Sequence, residues 1–182
     1  MQTTVINILG GAGIGKSTTA AGLFTLLKMH DVECELISEF AKDLVWEERY
    51  KILFENQEYI FGEQYRRLWI VKDKVEYAIM ECPLILGITY GNYYKSITKS
   101  YADSIAEIVN RFNNINIVLE RNTKYNPKGR AHTEDEAKAI DTLIIKTLEQ
   151  YNMPYTKIKG DYSCINNILK MLLKEEPKFK VV

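Results

Sequence analysis

Residues 10–18 read Gly-Gly-Ala-Gly-Ile-Gly-Lys-Ser-Thr, and this glycine-rich stretch decides the fold of the chain. A short apolar run, residues 5–9, precedes it, and an amphipathic stretch over about residues 17–30 follows it. A glycine loop between a strand and a helix is the context in which the Walker A pattern G-x-x-x-x-G-K-[ST] binds phosphate. The sequence therefore predicts a loop that holds a nucleoside triphosphate. The fixed positions of the pattern are filled by Gly10, Gly15, Lys16 and Ser17.

The chemistry of such a loop rests mainly on its backbone. Successive N–H groups converge on one point, the following helix adds the positive end of its dipole, and glycines leave room for the phosphates. Lys16 is expected to reach the β- and γ-phosphates and the Ser17 hydroxyl to bind Mg²⁺, so the predicted cofactors are ATP and Mg²⁺. The residues expected to contact the nucleotide are Gly11, Ala12, Gly13, Ile14, Gly15, Lys16, Ser17 and Thr18.

Two other interpretations of these glycines are weaker. A plain glycine-rich turn does not account for the strand before the loop and the helix after it. The dinucleotide pattern G-x-G-x-x-G fails on spacing, because after Gly11 and Gly13 it needs a glycine at the position of Lys16.

Length, composition and charge predict a single cytosolic domain over residues 1–182. The chain is long enough for one buried core and short for two domains. Its 24 basic and 24 acidic residues leave no charge excess that would indicate a nucleic acid or a membrane as partner. The three cysteines form no CxxC pair, which is typical of buried thiols in a reducing compartment. The N-terminus shows no signal-peptide pattern, and no apolar window reaches the length of a membrane span.

The hydrophobic pattern alternates between strand and helix along the chain and predicts an α/β fold. We expect five parallel strands with helices on both faces of the sheet, because each crossover is long enough to hold a helix. Residues 47–56 are predicted as a mobile segment, residues 82–92 as a structured loop and residues 175–182 as a loosely held tail. The predicted strands are residues 5–9, 32–38, 77–80, 115–119 and 154–158.

Two glutamates follow predicted strands at the sheet edge where parallel folds build their active clefts. Glu81 ends the third strand, where a carboxylate can hold Mg²⁺ through water or orient an acceptor; the alternative is a surface acid. Glu39 ends the second strand, where it can accept a proton from a hydroxyl near the γ-phosphate; the alternative is a helix cap. The sequence leaves open which of the two is the general base.

A basic segment, residues 121–130, carries four cations and no acid. It is followed by Thr133-Glu134-Asp135-Glu136, a capping box that predicts a helix start. The composition predicts a lid over residues 121–133, in which Arg121 and Arg130 neutralise charge on a transferring phosphoryl group. The alternative is a solvated basic loop.

Aromatic and amide side chains are the candidates for contacts with an acceptor. Tyr90, Tyr93 and Tyr94 follow the third strand and are placed to stack on a base, with half-buried packing as the alternative. Further candidates, for which ordinary solvation is the alternative, are Gln57, Gln64 and Arg67 on the predicted helix over residues 56–74.

The chain resembles small P-loop kinases over nearly its whole length. The resemblance rests on the N-terminal Walker A loop, on Ser-Glu-Phe-Ala-Lys-Asp at residues 38–43, and on Asn-Pro-Lys-Gly-Arg-x-x-Thr-Glu-x-Glu at residues 126–136. It is similar to the group that contains the ribosylnicotinamide kinases and many phage-encoded ATPase or kinase domains. This implies a three-layer P-loop NTPase fold with strand order 2-3-1-4-5. The roles implied by position are Lys16 and Ser17 on the phosphates and metal, Glu39 near the acceptor, Glu81 near the metal, and Arg121 or Arg130 in the lid.

The predicted function is an ATP-dependent kinase whose acceptor is a nucleoside, a nucleotide or a modified nucleobase, including a hydroxymethylated base in DNA. Many nucleoside kinases have Asp-Arg after the third strand, whereas Cys82-Pro83 follows Glu81 here, so the acceptor pocket departs from that of a standard deoxynucleoside kinase. The alternative is a P-loop ATPase or a nucleotide-binding module without a small-molecule acceptor. A regulatory GTPase is not expected, because neither Asn-Lys-x-Asp nor Asp-x-x-Gly occurs in the chain. The acceptor, the preference for ATP over GTP and the oligomeric state stay open.

Overall fold

A five-stranded parallel sheet runs through the centre of the computed structural model, which describes residues 1–122 and 124–173. Its strands are β1 (Thr4–Leu9), β2 (Cys34–Ile37), β3 (Tyr77–Met80), β4 (Asn113–Glu120) and β5 (Thr156–Lys159). The order β2-β3-β1-β4-β5 places the first strand in the middle, and every neighbouring pair is parallel. The predicted parallel sheet and the order 2-3-1-4-5 are thereby confirmed.

Helices cover both faces of the sheet, as a parallel sheet requires. On one face, side chains of the first and last helices, such as Leu23 and Ile168, pack against Ile6 and Ile79. On the other face, the fourth to seventh helices pack against alternate strand residues such as Met80. The helices are α1 (Lys16–Met29), α2 (Phe40–Trp46), α3 (Tyr50–Glu55), α4 (Gln57–Val71), α5 (Leu86–Tyr93), α6 (Lys99–Val109), α7 (Glu134–Gln150) and α8 (Ser163–Leu173).

The segment over residues 47–56, predicted as mobile, contains the short helix α3, which was not predicted. Leu53 of α3 is buried and packs with Leu44 and Ile60, while the charged residues of the segment lie outside. A helix of six residues buries too few side chains to leave a clear helical period in the sequence.

The structured loop predicted over residues 82–92 is also a helix for most of its length, namely α5. This helix packs against α4, α6 and α7 and has almost no polar face. A helix without a polar face shows no amphipathic period in its sequence. Gly91 suggested a loop, but its position is a close packing contact. A Cβ built there would lie 2.5 Å from Cδ1 of Ile97.

The start of α7 confirms the predicted capping box. The side chain of Thr133 accepts a hydrogen bond from the backbone N–H of Glu136 at 3.3 Å. In return, the backbone N–H of Thr133 donates to Oε2 of Glu136 at 2.7 Å. This exchange satisfies two backbone donors and fixes the point at which the lid segment ends.

The C-terminal part of the chain is described as far as Leu173, the last residue of α8. The predicted loose tail, residues 175–182, lies outside the described residues. Among the helices of the described ranges, none has the length and the apolar character needed to cross a membrane.

Candidate active site

The carboxyl ends of β1, β2 and β3 open onto one cleft of about 1020 Å³, measured out to its open mouth. The residues that line this cleft include three sets. The first belongs to the phosphate loop, residues 10–18, of which residues 12, 13 and 15–18 face the cleft. The second is the aromatic chamber, defined here by Gln57, Phe61, Leu86, Tyr90, Tyr94 and His132. The third is the end of the lid, residues 129–132.

The phosphate loop has the backbone shape that its glycines predict. Gly15, just before α1, has a φ of 101°, a conformation that a residue with a Cβ rarely adopts. Helix α1 begins at the next residue, so its first N–H groups and the positive end of its dipole lie at the cleft. The loop and the helix start together have the backbone shape expected of a phosphate cradle.

Lys16 lies in the wall of the cleft and is 9% exposed. Its Nζ donates a hydrogen bond to the carbonyl oxygen of Gly11 at 3.1 Å. The ammonium group is therefore held directly over the loop by a single backbone contact, within reach of an anion that enters the cradle.

Ser17 and Glu81 come together at the end of β3. The hydroxyl of Ser17 donates to Oε2 of Glu81 at 3.2 Å, and Glu81 is 9% exposed. The backbone N–H of Glu81 donates to the carbonyl oxygen of Ile37 at 3.2 Å, which fixes the carboxylate at the sheet edge. A hydroxyl and a carboxylate side by side are the hard oxygen ligands that Mg²⁺ prefers.

Glu39 lines the same cleft from the turn between β2 and α2. It occupies the N-cap position of α2, but its side chain makes no capping hydrogen bond to the described residues. The alternative role as a helix cap is therefore not supported, and the carboxylate belongs to the wall of the cleft. Both glutamates were predicted at one edge of the sheet; Glu39 lines the cleft, and Glu81 lies behind the lining residue Ser17, in contact with its hydroxyl.

The turn that carries Glu39 is held by two side chains of α4. The side chain of Gln64, which is 2% exposed, accepts from the N–H of Phe40 at 3.0 Å and donates to the carbonyl oxygen of Ser38 at 3.1 Å. Arg67 donates to Oγ of Ser38 and to Oδ2 of Asp43, both at 2.8 Å. Gln64 and Arg67, candidates for substrate contacts, thus have a positioning role for the turn before α2.

The aromatic chamber lies beside the phosphate loop and is built mostly from α4 and α5. The rings of Tyr90 and Tyr94 stack at 6.2 Å between centroids, and burial raises the pKa of both phenols, so both stay neutral near pH 7. Gln57, 4% exposed, donates from Nε2 to the carbonyl oxygen of Leu53 at 2.6 Å. Of the three tyrosines singled out in the sequence, Tyr90 and Tyr94 line the cleft.

His132 connects the lid to the aromatic chamber, a role that the sequence analysis missed. Its ring stacks on Tyr94 at 5.9 Å, and its Nε2 is hydrogen-bonded to the Tyr94 hydroxyl. The hydroxyl of Tyr125 donates to the carbonyl oxygen of His132. Burial lowers the pKa of His132, the charge of Lys16 lowers it further, and Glu136 acts in the opposite direction. A histidine just before the capping box was the only signal for it in the sequence.

The two arginines predicted for the lid have different surroundings. Arg130 lines the cleft, and its Nε is buried without a hydrogen-bond partner among the residues that the structure describes. Arg121 lies beside the phosphate loop and pairs with Asp141 of α7, a residue that the sequence analysis did not single out. At the far end of the lid, Gly129 packs so closely on Trp46 of α2 that a Cβ would lie 2.8 Å from its ring.

These features define a class of protein before they define a family. A parallel sheet of order 2-3-1-4-5, with a glycine loop between β1 and α1, is the fold of a P-loop NTPase of the small-kinase type. The chain belongs to the AAA_28 family, an AAA domain family, which matches residues 5–163. A search of curated proteins gives no match.

Solved structures have the same fold at low sequence identity. A NadR protein in complex with NR is similar with a TM-score of 0.64 and 13% identity, over 99% of this chain and 53% of that chain. Deoxyadenosine kinase from M. mycoides with bound dATP has a TM-score of 0.59 and 16% identity, over 95% of this chain and 100% of that chain. Shikimate kinase from Bacteroides thetaiotaomicron has a TM-score of 0.50 and 15% identity, over 96% of this chain and 100% of that chain.

The chain therefore spans about half the length of the NadR protein but matches the two kinases along their whole length. Together with the family match, these likenesses confirm the resemblance to small P-loop kinases.

Proposed function

We propose that the chain is a Mg²⁺-dependent kinase that transfers the γ-phosphoryl group of ATP to a hydroxyl group of a small nucleoside-like or nucleotide acceptor. The observation that carries this proposal is that the phosphate loop and the aromatic chamber line a single cleft, with Glu39 in its wall. A P-loop ATPase without a small-molecule acceptor has no need of a second, largely apolar chamber beside its phosphates. That alternative is therefore less well supported.

The donor half of the cleft would hold the triphosphate through the backbone of the phosphate loop. Lys16 would turn from the carbonyl oxygen of Gly11, 3.1 Å away, to the β- and γ-phosphates. Ser17 and Glu81 would hold Mg²⁺, and their adjacent oxygens fit a small hard cation. When bound, the metal neutralises phosphate charge.

The acceptor half would hold an aromatic or partly apolar molecule, since Phe61, Leu86 and Tyr90 supply its walls. Gln57 and the neutral phenols of Tyr90 and Tyr94 are the polar groups there for hydrogen bonds to such a molecule. A nucleobase combines a stacking face with hydrogen-bonding edges and fits this composition. Nicotinamide riboside and a base-modified DNA strand remain acceptor candidates for the same reason.

Glu39 is our candidate for the general base. The acceptor hydroxyl would pass its proton to the Glu39 carboxylate while its oxygen forms a bond to the γ-phosphorus. The bond from that phosphorus to the β–γ bridging oxygen breaks, and ADP leaves with the electron pair. Glu81 is less suited to this role because it already accepts the hydrogen bond of Ser17. Arg130 would neutralise the charge spread over the transferring group.

The test is a panel of acceptors incubated with ATP and Mg²⁺, with both ADP and the phosphorylated product measured. The panel contains nucleosides, nucleotides, nicotinamide riboside and DNA with hydroxymethylated bases, and a Lys16→Ala variant serves as the inactive control. Acceptor-dependent ADP release with a phosphorylated product supports the kinase. Hydrolysis that no acceptor stimulates and that yields only inorganic phosphate would support the ATPase instead.

The three cysteines fit the proposed cytoplasmic location. Cys34, Cys82 and Cys164 are buried and free, as expected for a protein of a reducing compartment.

A further inference from the structure

The start of the phosphate loop is in direct contact with α7. The backbone N–H of Gly11 donates to Oδ1 of Asp141 at 2.5 Å. The backbone of the same helix lies so close that a Cβ built on Gly11 would be 2.5 Å from the carbonyl oxygen of Ala137. The N–H of Gly11 is therefore engaged by a carboxylate, although loops of this kind are generally described as a cradle of N–H groups for phosphates.

Arg121 closes this contact from the end of β4. Its Nε donates to Oδ2 of Asp141 at 3.0 Å, and a terminal nitrogen lies 2.9 Å from the same oxygen. Its other terminal nitrogen donates to the carbonyl oxygen of Ala12 at 3.1 Å. The side chains of Arg121 and Asp141 are only 13% and 23% exposed, so solvent screens this ion pair weakly.

These bonds fix the orientation of two successive peptide groups. The carbonyl oxygen of Gly11 is bound by Lys16 and that of Ala12 by Arg121. In a trans peptide the N–H points away from the C=O, so the N–H that follows Ala12 is directed away from Arg121. Ala12 and Gly13 both line the cleft, so the peptide group between them lies in its wall.

We infer that Arg121 and Asp141 form a brace that presets the phosphate loop, and that Arg121 is a positioning residue. The carboxylate of Asp141 already neutralises the charge of Arg121. The guanidinium of Arg121 also contacts the loop at a carbonyl oxygen, that of Ala12. Arg130 lines the cleft, whereas Arg121 is not among its lining residues, so Arg130 is then the cation for the transferring group. The inference rests on the proposed binding of ATP and is independent of which acceptor is used.

The charges of the pair predict an asymmetry between the two single variants. Arg121→Gln leaves the Asp141 carboxylate uncompensated beside the site for the triphosphate, so it both loosens the loop and repels the ligand. Asp141→Asn keeps an oxygen that can accept from Gly11 and removes the negative charge. We expect Arg121→Gln to weaken ATP binding by about 10-fold or more and Asp141→Asn by less. The double variant should bind ATP better than Arg121→Gln alone.

The experiment is a double-mutant cycle on the Kd of Mg·ATP, measured by calorimetry without an acceptor, with thermal melting of each variant in parallel. Lys138→Gln is the matched control, because Lys138 forms an exposed ion pair with Glu134 on the same helix. Arg121→Met, which also removes the charge and keeps an apolar stem of similar length, replaces Arg121→Gln if the latter does not fold. The expected result is a higher Kd for each single variant, unchanged binding in the control and partial recovery in the double variant.

Three results would overturn the brace. The first is an unchanged Kd in Arg121→Gln together with a lowered kcat in a parallel turnover assay with an acceptor, which would place Arg121 on the transferring group. The second is a pair of single effects that simply add in the double variant. The third is a loss of melting temperature without any change in Kd, which marks a structural pair only. Failure of the wild type to bind Mg·ATP would be a different result, because it refutes the proposed function itself.

Discussion

The two halves of the cleft hold a ligand by different means. The phosphate loop is a run of nine residues that offers backbone groups, one lysine and the start of a helix. The aromatic chamber is assembled from side chains of α4, α5 and the lid, and these side chains are mainly apolar. A backbone cradle recognises phosphate whatever is attached to it, whereas a chamber of side chains selects by shape and by a few hydrogen bonds.

Because of this difference, we expect substitutions in the two halves to have different effects on activity. A change in the phosphate loop should remove activity towards every acceptor by the same factor. A change in the aromatic chamber should alter the ranking of acceptors while ATP binding stays the same. Glu39 lies between these cases, because it lines the cleft but acts on the acceptor hydroxyl.

The largest effect is expected for Lys16→Ala. Removing the ammonium group from the phosphate loop takes away the cation for the β- and γ-phosphates, and kcat/KM should fall by about 10³-fold or more for every acceptor. The fold should survive, because Lys16 lines the cleft and, within the part of the chain that the structure describes, its Nζ donates one hydrogen bond, to the carbonyl oxygen of Gly11. Lys28→Ala, on the last turn of the same helix, should behave as wild type. An active Lys16→Ala enzyme would refute the assignment of the donor half.

The next effect separates the two glutamates. Glu39→Gln should lower kcat by about 10²-fold and leave the Kd of Mg·ATP unchanged, because the amide cannot take the acceptor proton. Glu81→Gln should instead raise the Mg²⁺ concentration needed for half-maximal rate, since its carboxylate oxygen lies 3.2 Å from Ser17. Titrations of Mg²⁺ and ATP on both variants measure this.

Glu47→Gln is the control for this pair of variants, because Glu47 follows α2 and pairs with Arg49 at the surface. The opposite assignment holds if Glu81→Gln loses kcat at saturating Mg²⁺ while Glu39→Gln stays active.

The sequence revealed the donor half because its groups follow one another in the chain. The Walker A pattern, Glu39 and Glu81 could all be placed by strand ends; in the structure Glu39 and the loop line one cleft, and Glu81 contacts Ser17 of the loop. The brace could not be predicted, because Gly11 and Asp141 are 130 positions apart and Asp141 lies on an ordinary amphipathic helix. Such a contact depends on how α7 packs on the loop, which no local pattern records.

The aromatic chamber was harder to predict for a second reason. Its main wall, α5, packs against α4, α6 and α7 and so lacks the broad polar face that reveals a helix in a sequence. Its neighbour α3 is too short to show a period. Tyr90 and Tyr94 were therefore identified as aromatic candidates, but their helix and the contact of Tyr94 with His132 were not.

Arg130→Ala tests whether the lid supplies charge to the donor half. We expect kcat to fall by about 10²-fold, with the Kd of Mg·ATP and the melting temperature close to wild type, because the guanidinium acts on the transferring group. This is the reverse of the pattern expected for Arg121→Gln, in which Kd changes. Arg111→Ala, at a surface ion pair with Glu107, is the control. Wild-type kinetics for Arg130→Ala would instead support the alternative interpretation of the lid as a solvated basic loop.

The smallest effect is expected for protonation of His132, which should make the free energy of unfolding depend on pH. Burial lowers the pKa of His132 below its usual 6.5, so the folded chain favours the neutral ring. Below pH 6.5 the unfolded chain takes up the proton first, and the free energy of unfolding should decrease as the pH falls towards the folded pKa. Each unit of difference between the two pKa values corresponds to about 1.4 kcal/mol. Urea unfolding between pH 8 and pH 5 measures this loss, and His132→Gln should reduce it.

The same titration can report on both halves of the cleft, since the charge of Lys16 contributes to the lowered pKa of His132. A bound triphosphate would offset that charge and raise the pKa of the imidazole, so added ATP should bring the pH profile of the wild type closer to that of His132→Gln. His30→Gln, which changes the other histidine of the chain just after α1, is the matched control. A His132→Gln profile that parallels the wild type at every pH would show that burial of this ring does not control the pH dependence.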